Sequence, residues 1–133
     1  MFVISDFCRQ IAEAEKGMRE PEMKVGNLSA KRDFTDVRDV VRAYRMIAEK
    51  GIPGEVYNVG SGTTWSAQEI LDKLTALSDK RIPVKQDPSR MRPSDTPVVC
   101  CDHSKLTKET GWQPEKTIDT IVAEVLEYYR SAE

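Results

Sequence analysis

NLSAKRDFTDVRDVVRAY, residues Asn27 to Tyr44, sets two cations against the start of a helix. From Phe34 the spacing predicts a helix to Lys50. Val37, Val40, Val41, Tyr44, Ile47 and Ala48 recur every three or four residues and form one apolar stripe. Thr35 or Asp36 is placed to cap it, a side-chain oxygen accepting from the free amides of the first turn. Gly51, with Pro53 behind it, is the stop. Lys31 and Arg32 stand just ahead of that start. A helix N-terminus favours anions, so the two cations there serve something other than the helix.

Outward from this segment, the chain alternates helices with short strands. Upstream, Ser5 to Met18 reads as a helix capped by Ser5 or Asp6, with Phe7, Ile11 and Ala14 on one face. Met23 to Leu28 is a short strand. Downstream, Glu55 to Val59 (EVYNV) reads as a buried strand that Gly60-Ser61-Gly62 breaks. Ser66 and Glu69 form a capping box that opens a helix with Ile70, Leu71, Leu74 and Leu77 inward. Ile82 to Lys85 and Val98 to Cys101 are short strand candidates. Between them, Asp87 to Pro97 holds three prolines and reads as an irregular loop. Asp102 or Ser104 caps a short helix that ends at Gly111, and Trp112 and Pro114 make a turn. Thr117 caps a last helix with Ile118, Ile121, Val122, Val125, Leu126 and Tyr129 inward. The pattern is mixed α/β in one domain spanning residues 1–133. The strands are few and short, and the first element is a helix, so the pattern is expected to be part of a larger fold.

Hydrophobic residues make up 39% of the chain and charged residues 32%, a balance suited to a globular protein with a modest core. Twenty basic and 22 acidic residues leave a net charge of -2, which argues against a nucleic-acid partner held by bulk charge. Any anion must be held by a few placed cations. No apolar run approaches the roughly 18 residues of a membrane span, and the first twenty residues lack the pattern of a signal peptide. The odd set Cys8, Cys100 and Cys101 is no disulfide framework and points to a reducing, cytoplasmic setting.

No glycine-rich dinucleotide loop, Walker loop or nucleophile elbow is present in the sequence. His103 is the only histidine. Cys100-Cys101-Asp102-His103 lacks the spread pairs of a zinc site, and it reads as strand cysteines beside a surface histidine. Asp33, Asp36 and Asp39 have the spacing of a carboxylate cluster but suit the positive end of a helix better. Lys105, Lys108, Glu109, Glu124 and Glu127 read as solvated helix faces. The arginines hold more information. Arg32 precedes one helix, and Arg90 and Arg92 lie in the proline-rich loop DPSRMRPSD. A guanidinium fork can grip two phosphate oxygens, and flanking prolines would hold it in place. Two such loops could clamp a diphosphate, or they could be surface charges paired with Asp33 and Asp95.

RDFTDVRDVVRAY, GEVYNVGSG, DPSRMRPSDTP and KLTKETGWQP, in that order, resemble the C-terminal, substrate-binding part of the extended short-chain dehydrogenases/reductases. These are NAD(P)-dependent epimerases, dehydratases and reductases of nucleotide sugars. The similarity runs from about Ser5 to Tyr129 and leans to the GDP-mannose branch. Within that branch the RDFTDVRD segment looks more like the reductases than the dehydratases. The resemblance implies that Arg32 and Arg92 are ligands of the substrate's diphosphate. It also implies that Asp95 accepts from ribose hydroxyls, and that Val25, Gly26 and Asn27 lie along the base. The partner is then a nucleotide sugar of the GDP-mannose type, the cations reach a diphosphate, and Asp33 and Asp36 serve the helix.

The family's acid/base pair is Tyr-x-x-x-Lys. Here Tyr44 is followed at four residues by Ala48, Tyr57 by Ser61, Tyr128 by Ala132 and Tyr129 by Glu133. The resemblance therefore implies a substrate-binding portion whose NAD(P)-binding Rossmann domain is not among these residues. NAD or NADP is expected in the complete enzyme and no cofactor in this chain alone, which should not transfer a hydride. The alternatives are a portion of a dehydratase of the same GDP-mannose branch or of another nucleotide-sugar epimerase or dehydratase, and a stand-alone binding module without catalysis. The surface that meets the Rossmann domain in the family would be an apolar patch here, and it could form a homodimer.

Overall fold

The computed structural model describes residues 2–93 and 96–132. They fall into two compact units. The first comprises Met1–Ala30, Ser66–Pro97 and Asp119–Glu133, the second Lys31–Trp65 and Val98–Ile118.

In the first unit, α1 (Val3–Glu15) packs against α3 (Ala67–Ala76) and against β1 (Met23–Val25). β1 pairs in parallel with β4 (Val84–Gln86), Met23 opposite Val84 and Val25 opposite Gln86. Phe7, Cys8, Ile11 and Ala14 of α1 are buried, as are Met23, Val25, Ile70, Leu71 and Leu74. Each fully buried aliphatic side chain contributes about 1.5–3 kcal/mol. α5 (Ile118–Ser131) encloses Val122 and Leu126, and its other expected inward residues are half-buried or buried. The Ser66–Glu69 capping box is formed, Glu69 N–H to Ser66 Oγ at 3.1 Å and Ser66 N–H to Glu69 Oε2 at 2.7 Å.

In the second unit, β3 (Thr64–Ser66), β2 (Lys31–Asp33) and β5 (Val98–Val99) form a sheet in the order β3-β2-β5. β2 and β5 are parallel, Lys31 opposite Val98 and Arg32 opposite Val99. α2 (Val37–Lys50) packs against α4 (Ser104–Thr110) around Ala43, Leu106 and Trp112, with Met46, Ile47, Tyr57 and Val59 at the edge of that core. Trp112 Nε1 donates to the Asp39 carbonyl at 2.9 Å. The Asp39 carboxylate, on a residue 2% exposed, accepts from the amides of Glu115 and Lys116 at 3.1 and 3.0 Å.

Several expectations differ from what is seen, among them the cap of α4, whose N-cap is His103 with no side-chain cap bond and not Asp102 or Ser104. Ser5 and Asp6 lie inside α1, whose start at Phe2 has no side-chain cap. The stripe assigned inward on α2 is largely outward: Val37, Val41 and Tyr44 are 69%, 59% and 63% exposed, and the buried residues are Asp39 and Ala43. Periodicity counts apolar residues but cannot tell which face meets protein. Here the face that receives the Trp112 indole is built on small Ala43. Residues 55–59 form no strand. They run with Tyr57 and Val59 turned toward the core, and Lys105 donates to the Val56 carbonyl at 3.0 Å. Leu77, expected inward, is 41% exposed at the end of α3.

Candidate functional site

Lys31 and Arg32 do not sit at a helix start. They lie on β2, three residues of strand that end before Asp36 caps α2 by accepting from the Arg38 amide at 2.8 Å. Strand and helix are thus separated by a short connection, and the two cations belong to the strand. Arg32 is half-buried and its Nη1 donates to the Lys31 carbonyl at 2.7 Å.

Asp33, the next residue, does not serve the helix as expected. One carboxylate oxygen accepts from Ser61 N–H at 3.0 Å, Ser61 Oγ at 2.6 Å and Thr35 Oγ1 at 3.0 Å. The other accepts from Gly62 N–H at 2.8 Å and Cys101 N–H at 3.3 Å. One side chain therefore ties β2, the 60–62 turn and the end of β5 together. Gly60 is required there, because a Cβ would collide with the Cys101 side chain. Burial pushes the Asp33 carboxyl up, but the donors from Ser61, Gly62 and Thr35 outweigh it and hold it below the usual carboxylate range.

Gly60-Ser61-Gly62 is the one stretch that suggests a phosphate cradle for a dinucleotide. Its Ser61 and Gly62 amides already serve Asp33, so a diphosphate would have to displace a carboxylate. The described residues do not fit NAD or NADP at that turn.

In the first unit, Asn27 follows β1 and is exposed. Its side-chain oxygen accepts from Ser29 N–H at 3.0 Å and Ser29 Oγ at 2.7 Å, closing a small turn on itself. The proline-rich loop opens with a 3-10 turn, Pro88–Arg90, capped by Asp87, whose carboxylate accepts from the Ser89 amide at 2.9 Å. Arg90 is turned back into the protein, Nη1 to Asp6 Oδ2 at 2.6 Å. Arg92, two residues on, is exposed. Asn27 and Arg92 belong to the same unit and Arg32 to the other. Asp95 lies outside the described residues.

Cys100 is exposed and Cys101 half-buried, and His103 Nδ1 meets Thr107 Oγ1 at 2.8 Å. Among the described residues no three His, Cys, Asp or Glu side chains are grouped to hold a metal ion, and no helix is long and apolar enough to cross a membrane. Neither the Asp33 clamp nor the Asp6–Arg90 pair is legible in the sequence, because Ser61 and Arg90 lie 28 and 84 residues from their carboxylates.

The family model for GDP-mannose 4,6 dehydratase matches residues 1–125. The GDP-6-deoxy-D-mannose reductase of Pseudomonas aeruginosa is 36% identical over 130 residues, which cover 98% of this chain and 43% of that protein. A GDP-mannose 4,6-dehydratase of Vibrio cholerae is 28% identical, with 94% of this chain and 41% of that protein covered. Among solved structures, RMD from Pseudomonas aeruginosa in complex with NADPH superposes with a TM-score of 0.91 at 35% identity, covering 98% of this chain and 43% of that one. A UDP-glucose 4-epimerase from Thermotoga maritima with UDP-glucose gives 0.78 at 26%, covering 97% and 39%. The chain thus spans about two fifths of the length of the relatives it matches.

Proposed function

Because this chain belongs to the GDP-mannose 4,6-dehydratase family of extended short-chain dehydrogenases/reductases, we propose that it is the substrate-gripping portion of an NAD(P)-dependent GDP-4-keto-6-deoxymannose reductase. The observation that carries this reading is the 36% identity to a reductase across nearly the whole chain, against 28% to a dehydratase. The ligand is a nucleotide sugar of the GDP-mannose type. Arg32 and Arg92 each bind its diphosphate, Asp95 its ribose, and the turn at Asn27 lies along the base. Support comes from chemistry. Arg92 is exposed just beyond a capped 3-10 turn, so it is open to a ligand and the backbone leading to it is already ordered. Arg32 is carried on a strand whose next residue is locked by five hydrogen bonds.

The nicotinamide cofactor and the tyrosine–lysine acid/base pair belong, in this proposal, to the domain that these residues do not include. That domain also supplies the partner for the outward stripe of α2. Without it the same stripe joins two copies of the chain, which sedimentation of Val37→Ser/Val41→Ser beside the native protein would read as dimer turned to monomer. The base preference is tested by titrating the chain with GDP-mannose and UDP-glucose in a calorimeter. Tighter binding of the GDP sugar is expected, and equal or reversed affinities would sink the assignment to the GDP-mannose branch.

A further inference from the structure

Asp6 is an acid inside a helix and is only 6% exposed. An ordinary helix ion pair would occupy it on one side: Oδ1 accepts from Arg9 Nη2 at 3.0 Å, three residues along. Its other oxygen is used differently. Oδ2 accepts from Arg90 Nη1 at 2.6 Å, 84 residues away, and from Gln10 Nε2 at 3.0 Å. Gln10, fully buried, grips the backbone of β1 at both ends of one residue, its Oε1 taking the Lys24 amide at 2.9 Å and its Nε2 the Lys24 carbonyl at 3.0 Å. The loop is fastened to the same strand a second time, Asp87 N–H to the Val25 carbonyl at 2.8 Å. Gly26 then lets the Arg90 backbone lie so close that any Cβ would collide with its carbonyl. Helix, strand end and arginine loop meet at one carboxylate.

We propose that Asp6 is a positioning residue: through Arg90 it holds the 87–93 loop on the end of β1 and so fixes where Arg92 is presented. The use made of Arg92 rests on the nucleotide-sugar reading above; the geometry does not. A charge-assisted bond this short fixes direction as well as distance. Asparagine at position 6 has one acceptor oxygen in place of two and no charge, so its NH2 faces either Arg9 or the Arg90 and Gln10 donors, and the charge-assisted tether of Arg90 is weakened or lost.

The test is hydrogen exchange on the ligand-free chain, at the amides of Asp87, Arg90 and Met91, which donate to Val25, Asp87 and Pro88. In Asp6→Asn these should exchange about tenfold faster or more, while Leu71 and Leu74 of α3 stay as in the native protein. Arg90→Gln should loosen the same amides. Arg90→Lys, which restores a cation to Asp6, should keep them within about twofold, a rescue that a packing role alone would not give. Should Asp6→Asn fail to fold, the two Arg90 variants decide. Loop amides as protected in Asp6→Asn and Arg90→Gln as in the native chain would overturn the proposal. Titration with GDP separates the two readings. Affinity in Asp6→Asn should fall about tenfold, because a freed loop must be ordered on binding. Unchanged affinity with a loosened loop would overturn the link to Arg92. Loosened amides in a chain whose native form ignores GDP would leave the positioning intact and remove the nucleotide reading.

Discussion

The three cysteines show how far a residue's chemistry is set by its place. Cys8 is fully buried in α1, and burial pushes its thiol up to about 12, with Arg130 pulling slightly the other way. Cys101 is raised by burial first and then by the Asp33 carboxylate beside it. Cys100 is exposed. Thiolate is the reactive form, so alkylation with iodoacetamide near pH 8, followed by peptide mass spectrometry, should label Cys100 first, Cys101 more slowly and Cys8 only on unfolding. Early labelling of Cys8 in the folded protein would contradict the packing of α1. The sequence placed Cys8 on a helix but could not grade the three. Spacing excluded a disulfide framework, whereas reactivity depends on Asp33 and Gly60, far away in the chain.

At the scale of elements, legibility followed locality. The Ser66–Glu69 box, the Asp36 cap and the left-handed Gly111 at the end of α4 are signals written within four residues, and each stands where the sequence put it. Ser66→Ala should therefore cost about 1 kcal/mol in urea unfolding. β2 and β3 are not legible because three-residue strands carry no period to read, and EVYNV has apolar residues that suit a strand but find no ladder. α2 was legible as a helix and illegible in orientation. The structure sets its inner face at Asp39 and Ala43, so Val41→Ser, measured on the monomer at low protein concentration, should change stability by less than about 0.5 kcal/mol. Ala43→Leu, forced against Trp112 and Leu106, should cost about 1–3 kcal/mol. The reverse order would mean that the stripe read from the sequence is the buried one after all.

For the whole molecule, acid is the revealing perturbation. Asp33 and Asp39 are both held below their ordinary value of 3.8. In each, burial works upward and is outweighed by donors: Ser61, Gly62 and Thr35 for Asp33, and the Lys116 amide, Arg42 and the Glu115 amide for Asp39. A depressed folded value means the folded state binds protons less readily than the unfolded one. Their contribution is complete above the unfolded value and is lost as pH falls through the lower folded values. The melting temperature should thus hold from neutral pH to about 4 and drop below it. Asp33→Asn should start lower and fall less steeply, and a variant curve parallel to the native one would contradict the clamp.

In a chain whose net charge is -2, the function proposed above has a small number of placed cations grip a nucleotide diphosphate. The family and the α/β fold follow from motif order and similarity. The ligand roles proposed for Arg32 and Arg92 rest on resemblance, since neither periodicity nor capping speaks to what a guanidinium binds. The most direct measurement is calorimetric titration of GDP-mannose into the native chain, Arg32→Ala and Arg92→Ala, each checked for an unchanged melting temperature. The native chain should bind, and each variant should lose about tenfold or more in affinity, with weaker salt dependence. Equal binding by all three, or no binding by the native chain, would contradict the proposed function.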